Sequence, residues 1–116
     1  MQMNTSVKNR VQLLGNLGKD PEVKNFKNNK MVRISLATTE YSKTAGGDLK
    51  KETQWHNIVL WGKQAEVAEK LLNKGSRVLI EGKIRNNSYE DKDGNKRYIT
   101  DILANEVVLL DKKPAA

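Results

Sequence analysis

The hydrophobic pattern changes period once along the chain. From Met31 to Thr39, apolar Val32, Ile34 and Leu36 alternate with Arg33, Ser35 and Ala37, the two-residue period of a strand with one face in a core. The run Trp55-His56-Asn57-Ile58-Val59-Leu60-Trp61 repeats the period. Ile58 and Leu60 are expected inward, and Trp55, Asn57, Val59 and Trp61 outward. Gly62 ends that strand. From Lys63 to Lys74 the spacing lengthens: Val67, Ala68, Leu71 and Leu72 form one stripe with Glu66, Glu69 and Lys70 off it, which predicts the single helix. Lys74 suits its negative end and Gly75 the C′ position.

The flanking segments read as further strands. Arg10 to Leu17 is apolar-rich, with Gly15 and Gly18 as breaker or bulge positions. Asp20-Pro21 turns the chain, Glu22 to Phe26 is a short extended piece, and Asn28-Asn29 marks a tight turn. Arg77 to Arg85 predicts a strand with Val78, Ile80 and Ile84 on one face. Asn86 to Arg97 predicts a hairpin with Asp93-Gly94 at its tip. Tyr98 to Leu110 closes the fold, apolar on both faces at Val107-Val108-Leu109-Leu110. Tyr41 to Gln54, with Gly46-Gly47 at its middle, reads as a long polar loop.

Three strands, a helix and two strands are the order of an all-β OB-fold: a five-stranded Greek-key barrel with one helix between the third and fourth strands. Residues 1–111 are expected to form this domain and 112–116 a short tail. A chain of 116 residues can close one such core. It holds no cysteine, which excludes a disulfide framework and a thiolate metal site. No apolar run approaches a membrane span, and Met1 to Thr5 begins no signal peptide. The expected location is therefore cytoplasmic, at the nucleoid if the partner is DNA.

Charge changes the picture further. The formal net charge is +7, which favours a polyanionic partner. Nucleic acid comes before an anionic membrane, because the helix lacks the basic amphipathic pattern a membrane surface needs. Before Glu40 the acids are Asp20 and Glu22, against Lys8, Arg10, Lys19, Lys24, Lys27, Lys30 and Arg33. The outward face of the 55–61 strand carries both tryptophans of a chain with two Trp, three Tyr and one Phe. Two indoles on such a face in a basic protein point to a stacking platform for unpaired bases. A strand buried on both faces, with the tryptophans in a core or subunit interface, gives the same pattern.

Barrels of this kind bind oligonucleotides across strands two and three, flanked by the loops between strands one and two and between four and five. Trp55 and Trp61 fall on the expected third strand and Arg33 on the second. Tyr89, Arg85, Lys96 and Arg97 fall on the hairpin between four and five. Other patterns fail. Gly15-Asn16-Leu17-Gly18-Lys19 lacks the spacing and hydroxyl of a phosphate loop. Asp91 to Asn95 lacks the glycine position and bidentate Glu of a calcium loop. His56 is the only histidine and has neither a metal-ligand partner nor a nucleophile pattern. No metal, cofactor or catalytic group is expected. An OB-fold nuclease, the enzymatic alternative, needs acids clustered with arginines around a scissile phosphate, and here the acids cluster at a hairpin tip.

Longer stretches resemble a known family: Val11 to Val23 (VQLLGNLGKDPEV), Ile34 to Thr38, Thr53 to Lys63 (TQWHNIVLWGK), Ala65 to Ala68, Lys74 to Val78 and Ile80 to Arg85. In order and in register, they are similar to the bacterial single-stranded DNA-binding proteins. The resemblance spans roughly residues 8 to 110, the extent expected of the barrel. It implies a homotetramer that coats single-stranded DNA in replication, recombination and repair. It implies stacking at Trp55 and Trp61, and at Tyr89, where the family often has tryptophan. Tyr41 lies beside a further aromatic position, one residue out of register. Lys63, Lys74, Arg85 and Arg97 match basic positions along the DNA path, and Arg10 is the equivalent near the first strand. His56 matches a histidine toward the subunit interface. Members usually continue into a flexible linker with an acidic tip that recruits replication and repair enzymes. This sequence ends Asp111-Lys112-Lys113-Pro114-Ala115-Ala116, so it is either truncated or a naturally short member, and tail-mediated recruitment is not expected. The remaining alternative is a primosomal-type OB module for single-stranded DNA, RNA or protein partners.

Overall fold

A computed structural model describes residues 8–110; the expectations about the tail at 112–116 lie outside them. The elements are β1 (Val11–Leu17), β2 (Glu22–Phe26), β3 (Asn29–Lys43), β4 (Leu49–Trp61), α1 (Gly62–Leu71), β5 (Arg77–Glu90) and β6 (Lys96–Leu109). The sheet order is β1-β5-β6-β4-β3-β2, and a further β1–β3 pairing closes the first five into a barrel. The expected OB-fold is present, with the helix after the third barrel strand.

Two junctions close the ring. β1 pairs with β5 from Val11 to Asn16 and then passes to β3, where Asn16 faces Ala37 and Leu17 faces Leu36. Gly15 permits that crossing, since a Cβ there would collide with the carbonyl oxygen of Ala37. The other junction is short: β4 and β6 run parallel and pair at Ile58–Ile102 and Val59–Leu103.

The inward alternation builds the core as expected. Val32, Ile34, Leu36, Ile58, Leu60, Val78 and Ile80 are fully buried. Ala65 and Ala68 of α1 and the following Leu72 complete this cluster. Each fully buried aliphatic contributes roughly 1.5–3 kcal/mol through removal from water, so the core at the closed end of the strands fixes the barrel.

Several expectations are corrected. Glu22–Phe26 is a paired strand, joined to β3 through a two-residue turn at Lys27-Asn28 in which Phe26 faces Asn29. Tyr41 to Gln54 is not a long loop. β3 and β4 stay paired to Lys43–Leu49, and the turn is closed by the Thr44 N–H donating to the Asp48 carbonyl at 2.8 Å. Polar residues on both faces of this arm hide the strand period, because neither face meets a core. The helix ends at Leu71 rather than Lys74, with Leu72 extended as C-cap. Gly75 is not its C′ residue: with φ of 90° it occupies a turn in which the Ser76 N–H donates to the Asn73 carbonyl. Leu71 is exposed rather than in the apolar stripe. Val59 is buried although it shares the outward parity of the tryptophans, being flanked by Arg33 on β3 and Leu103 on β6.

Candidate nucleic-acid interface

Strand register assembles the outward face. β3 and β4 set Met31 beside Trp61, Arg33 beside Val59, Ser35 beside Asn57, Ala37 beside Trp55, and Tyr41 beside Lys51. Directly opposed residues in an antiparallel pair share a face. Trp55, Trp61, Arg33 and Tyr41 therefore lie along one face, with Tyr41 out on the β3–β4 arm. Trp55 is 62% exposed and Trp61 38%.

The two indoles are held differently. Trp55 lies over Gly18, where a Cβ would drive into the six-membered ring of the indole. Backbone therefore supports one side of Trp55. Trp61 leans on Phe26, the ring centroids 5.6 Å apart and the planes tilted by 33°. Phe26 is half exposed and is the aromatic that sequence reasoning missed. A two-residue turn at Lys27-Asn28 fixes a hairpin register that puts Phe26 and Lys24 on the face of Met31, a register the Asn28-Asn29 signal places one residue too late.

The face continues across the short β4–β6 junction. Val59 neighbours Leu103, Leu103 faces Lys83, Asp101 faces Arg85, and Arg97 faces Tyr89. Alternation along β5 and β6 thus puts Arg85, Tyr89 and Arg97 on the side of the tryptophans. Lys96 falls on the other face of this hairpin, opposite Glu90, with its ammonium 5.9 Å from the centre of the Tyr98 ring.

Most of the candidate guanidinium groups are oriented by carboxylates. Arg85 donates from Nε to Oδ1 of Asp101 at 2.9 Å and from a terminal nitrogen to Oδ2 at 3.2 Å. Asp101 is almost completely buried and also accepts from Asn87 at 3.4 Å. Arg97 donates to Asp91 at 2.9 Å. That contact, with backbone N–H donors of Asn95 and Asp93, holds the Asp91 carboxyl below the ordinary aspartate range. Arg10 donates to Glu81 at 2.6 Å, and Arg10 with Gln12 lowers the Glu81 pKa. A bidentate carboxylate fixes the plane of a guanidinium while leaving outward donors. Glu22 faces Arg33 across the β2–β3 pair; its own carboxyl is lowered mainly by Lys19.

The remaining candidates lie at the margins. Lys63 is exposed in the first turn of α1. Lys74 is exposed in the following loop, where its backbone N–H donates to Asp20 at 2.7 Å. His56 lies on the opposite side of β4 from the tryptophans, half-buried, its Nε2 3.0 Å from the Thr38 hydroxyl. Among the described residues no group of three or more His, Cys, Asp or Glu side chains could hold a metal ion, and no helix is long and apolar enough to cross a membrane.

Comparison with known proteins places the chain as a whole. The family model described as "Single-strand binding protein family" matches residues 8–110. Single-stranded DNA-binding protein 1 of Xylella fastidiosa is 41% identical over 107 residues, which are 90% of this chain and 79% of that protein. The single-stranded DNA-binding protein of Xanthomonas axonopodis is 44% identical over 103 residues, 88% of this chain and 57% of that protein. Among solved structures, the Plasmodium falciparum SSB in complex with ssDNA superposes with a TM-score of 0.82 at 30% identity, covering 94% of this chain and all of that one. A deletion mutant of the Thermus aquaticus single-stranded DNA binding protein gives 0.78 at 25% identity, covering 90% of this chain and 51% of that one. These matches span the whole barrel and its outward face, and the chain belongs to the single-strand binding protein family.

Proposed function

We propose that this protein binds single-stranded DNA without strong sequence preference, through the outward face of β3 and β4 and its continuation onto the β5–β6 hairpin. The observation that carries the reading is the pair of exposed indoles, Trp55 and Trp61, on one face of β4 beside Arg33. Every base has a π-face, so stacking on Trp55, Trp61, Tyr89 and Tyr41 tolerates any sequence, at roughly 1–3 kcal/mol per base. Arg33, Arg85, Arg97, Lys63 and Lys74 neutralise phosphates and release counterions. Duplex DNA hides its base faces, so accessibility rather than a hydrogen-bond code selects the single strand. The binding needs no cofactor and no chemical step. It suits the protection and organisation of single strands in replication, recombination and repair.

We further propose that the working form is a homotetramer. The outward sides of β1, β5 and β6 set Leu14, Leu79 and Val108 side by side. Leu14 is 46% exposed and Val108 39%, an apolar stripe on the same outward side as Lys83 and Arg85 but displaced along β5 from them, which a second copy would cover. His56 shares the inward parity of Ile58 and Leu60 on β4 and is not part of this stripe.

Titration of a labelled thymidine oligomer and a duplex of equal length, at several salt concentrations, tests the binding. The single strand should bind more tightly, with a salt slope of about −0.7 per neutralised phosphate. Equal affinity for the duplex would refute stacking as the basis of selection. Mass in solution tests the assembly: a tetramer is expected, and a dimer would favour the primosomal-type module instead.

A further inference from the structure

Beyond Val59 and Leu103 the parallel strands β4 and β6 part. β4 ends at Trp61 and turns through Gly62, with φ of 60°, straight into α1. β6 continues through a bulge, in which Asn105 is the extra residue opposite the Glu81–Gly82 step of β5. The divergence opens a cleft of about 770 Å³. Its lining includes Trp61 and Gln64 from the β4–α1 junction, Leu103 and Asn105 from β6, Lys83 from β5, and Arg10 just before β1. Register puts the cleft on the tryptophan side of the sheet, since Val59 neighbours Leu103 and Leu103 faces Lys83.

We propose that this cleft holds one nucleotide of the bound single strand, its base swung past Trp61 against Leu103 and its phosphate at Lys83. The inference rests on the single-strand reading of the tryptophan face and deepens it. Four observations support that occupant. The volume falls within the roughly 300–1,000 Å³ of small-ligand sites. Trp61 belongs to both the stacking face and the cleft, so a strand stacked on its ring meets the cleft next. Leu103 supplies apolar surface for a base, and the Gln64 and Asn105 amides offer donors and acceptors to its edge without demanding one base. The charge is also suitable. Glu81 at the rim is neutralised by Arg10 and bonded by Gln12, which leaves Lys83, in none of the described ion pairs, to attract phosphate. The strand therefore does not run straight off the end of β4; it drops a base into the gap where β4 and β6 separate.

Nuclear magnetic resonance on the assembled protein, titrated with a thymidine oligomer, tests this directly. The indole signals of Trp55 and Trp61 and the side-chain amide signals of Gln64 and Asn105 should shift together. Indole shifts with unmoved cleft amides would overturn the nucleotide site and leave the stacking face standing. Absence of any indole shift would overturn both. A pair of variants gives the second readout, because Asn105 is exposed and its substitution leaves the core intact. Asn105→Phe, which fills the cleft from its rim, should weaken binding about tenfold, within the range of one lost base stack. Asn105→Ala removes one amide from the cleft wall but leaves the cleft open, so it should weaken binding clearly less than Asn105→Phe, because no base stack is lost. Parental affinity in Asn105→Phe, or an equal loss in both variants, would contradict the proposal.

Discussion

The two ends of the tryptophan face are built on different supports. At one end Trp55 rests on the backbone at Gly18, in the chain between β1 and β2. At the other Trp61 leans on the half-exposed Phe26 ring. Backbone tied into a barrel cannot move aside, whereas an exposed phenyl ring on a strand outside the barrel can change rotamer. In the proposed binding mode Trp55 is therefore the preorganised anchor, and Trp61 the adjustable neighbour that would accommodate a strand leaving the sheet. A rigid platform loses little entropy when a base stacks on it.

This contrast can be broken at either end. The largest effect is expected from Trp55→Ala, which removes the supported indole and should weaken single-strand binding by about 2–3 kcal/mol, the upper part of the range for one stacked base. Tyr89→Ala should cost about 1 kcal/mol, because a phenol on an exposed hairpin stacks less well than an indole on a strand. Equal losses in the two variants, measured by equilibrium titration, would remove the ranking. Gly18→Ala keeps every aromatic but displaces the Trp55 ring. It should weaken binding by about 1–2 kcal/mol and shift the tryptophan emission of the free protein, and parental emission with parental affinity would show that the glycine seat is irrelevant. Phe26→Ala takes away the movable support and should cost less than about 1 kcal/mol, the scale of an aromatic pair. A loss larger than that of Gly18→Ala would reverse the comparison.

The smallest effect concerns pH. The lowered pKa of Asp91 arises chiefly from Arg97. A carboxyl with a folded pKa below its unfolded one stabilises the folded state above the unfolded pKa and loses that contribution as pH falls through the folded value. The β5–β6 tip should therefore stay ordered at neutral pH and open on acidification below the ordinary aspartate range. Amide exchange at Gly94, followed across that range, reads the transition. Exchange independent of pH-driven opening would show that the Asp91–Arg97 contact does not hold the tip.

The parts of the molecule that touch the core were the parts legible in the sequence. Val32, Ile34 and Leu36, and Ile58 and Leu60, alternate because one face of each strand must be dry. The β3–β4 arm shows no strand period because both of its faces are wet, so no alternation marks residues 39–43 or 49–54 as strand. The same asymmetry governs the site. Trp55 and Trp61 stand out by their type and parity on β4. Phe26 did not, because its relation to Trp61 depends on a hairpin register and on a neighbouring strand distant in sequence. Val59 shares the outward parity yet is buried, which needs the β6 contact at Leu103 to explain. Lys96 falls on the hairpin as expected but on the face away from Tyr89 and Arg97, a one-residue matter of alternation that depends on the register of β5 with β6. Asp101, which fixes the plane of Arg85, gave no signal beyond being an acid in a basic chain.

The central claim is that the two indoles meet unpaired bases. Its most direct test is intrinsic tryptophan fluorescence during titration with a thymidine homopolymer, repeated with duplex DNA of the same length. Strong quenching by the single strand, with a weak and salt-sensitive response to the duplex, is the expected result. Tight binding of the single strand with undiminished fluorescence would place the bases elsewhere and contradict the account.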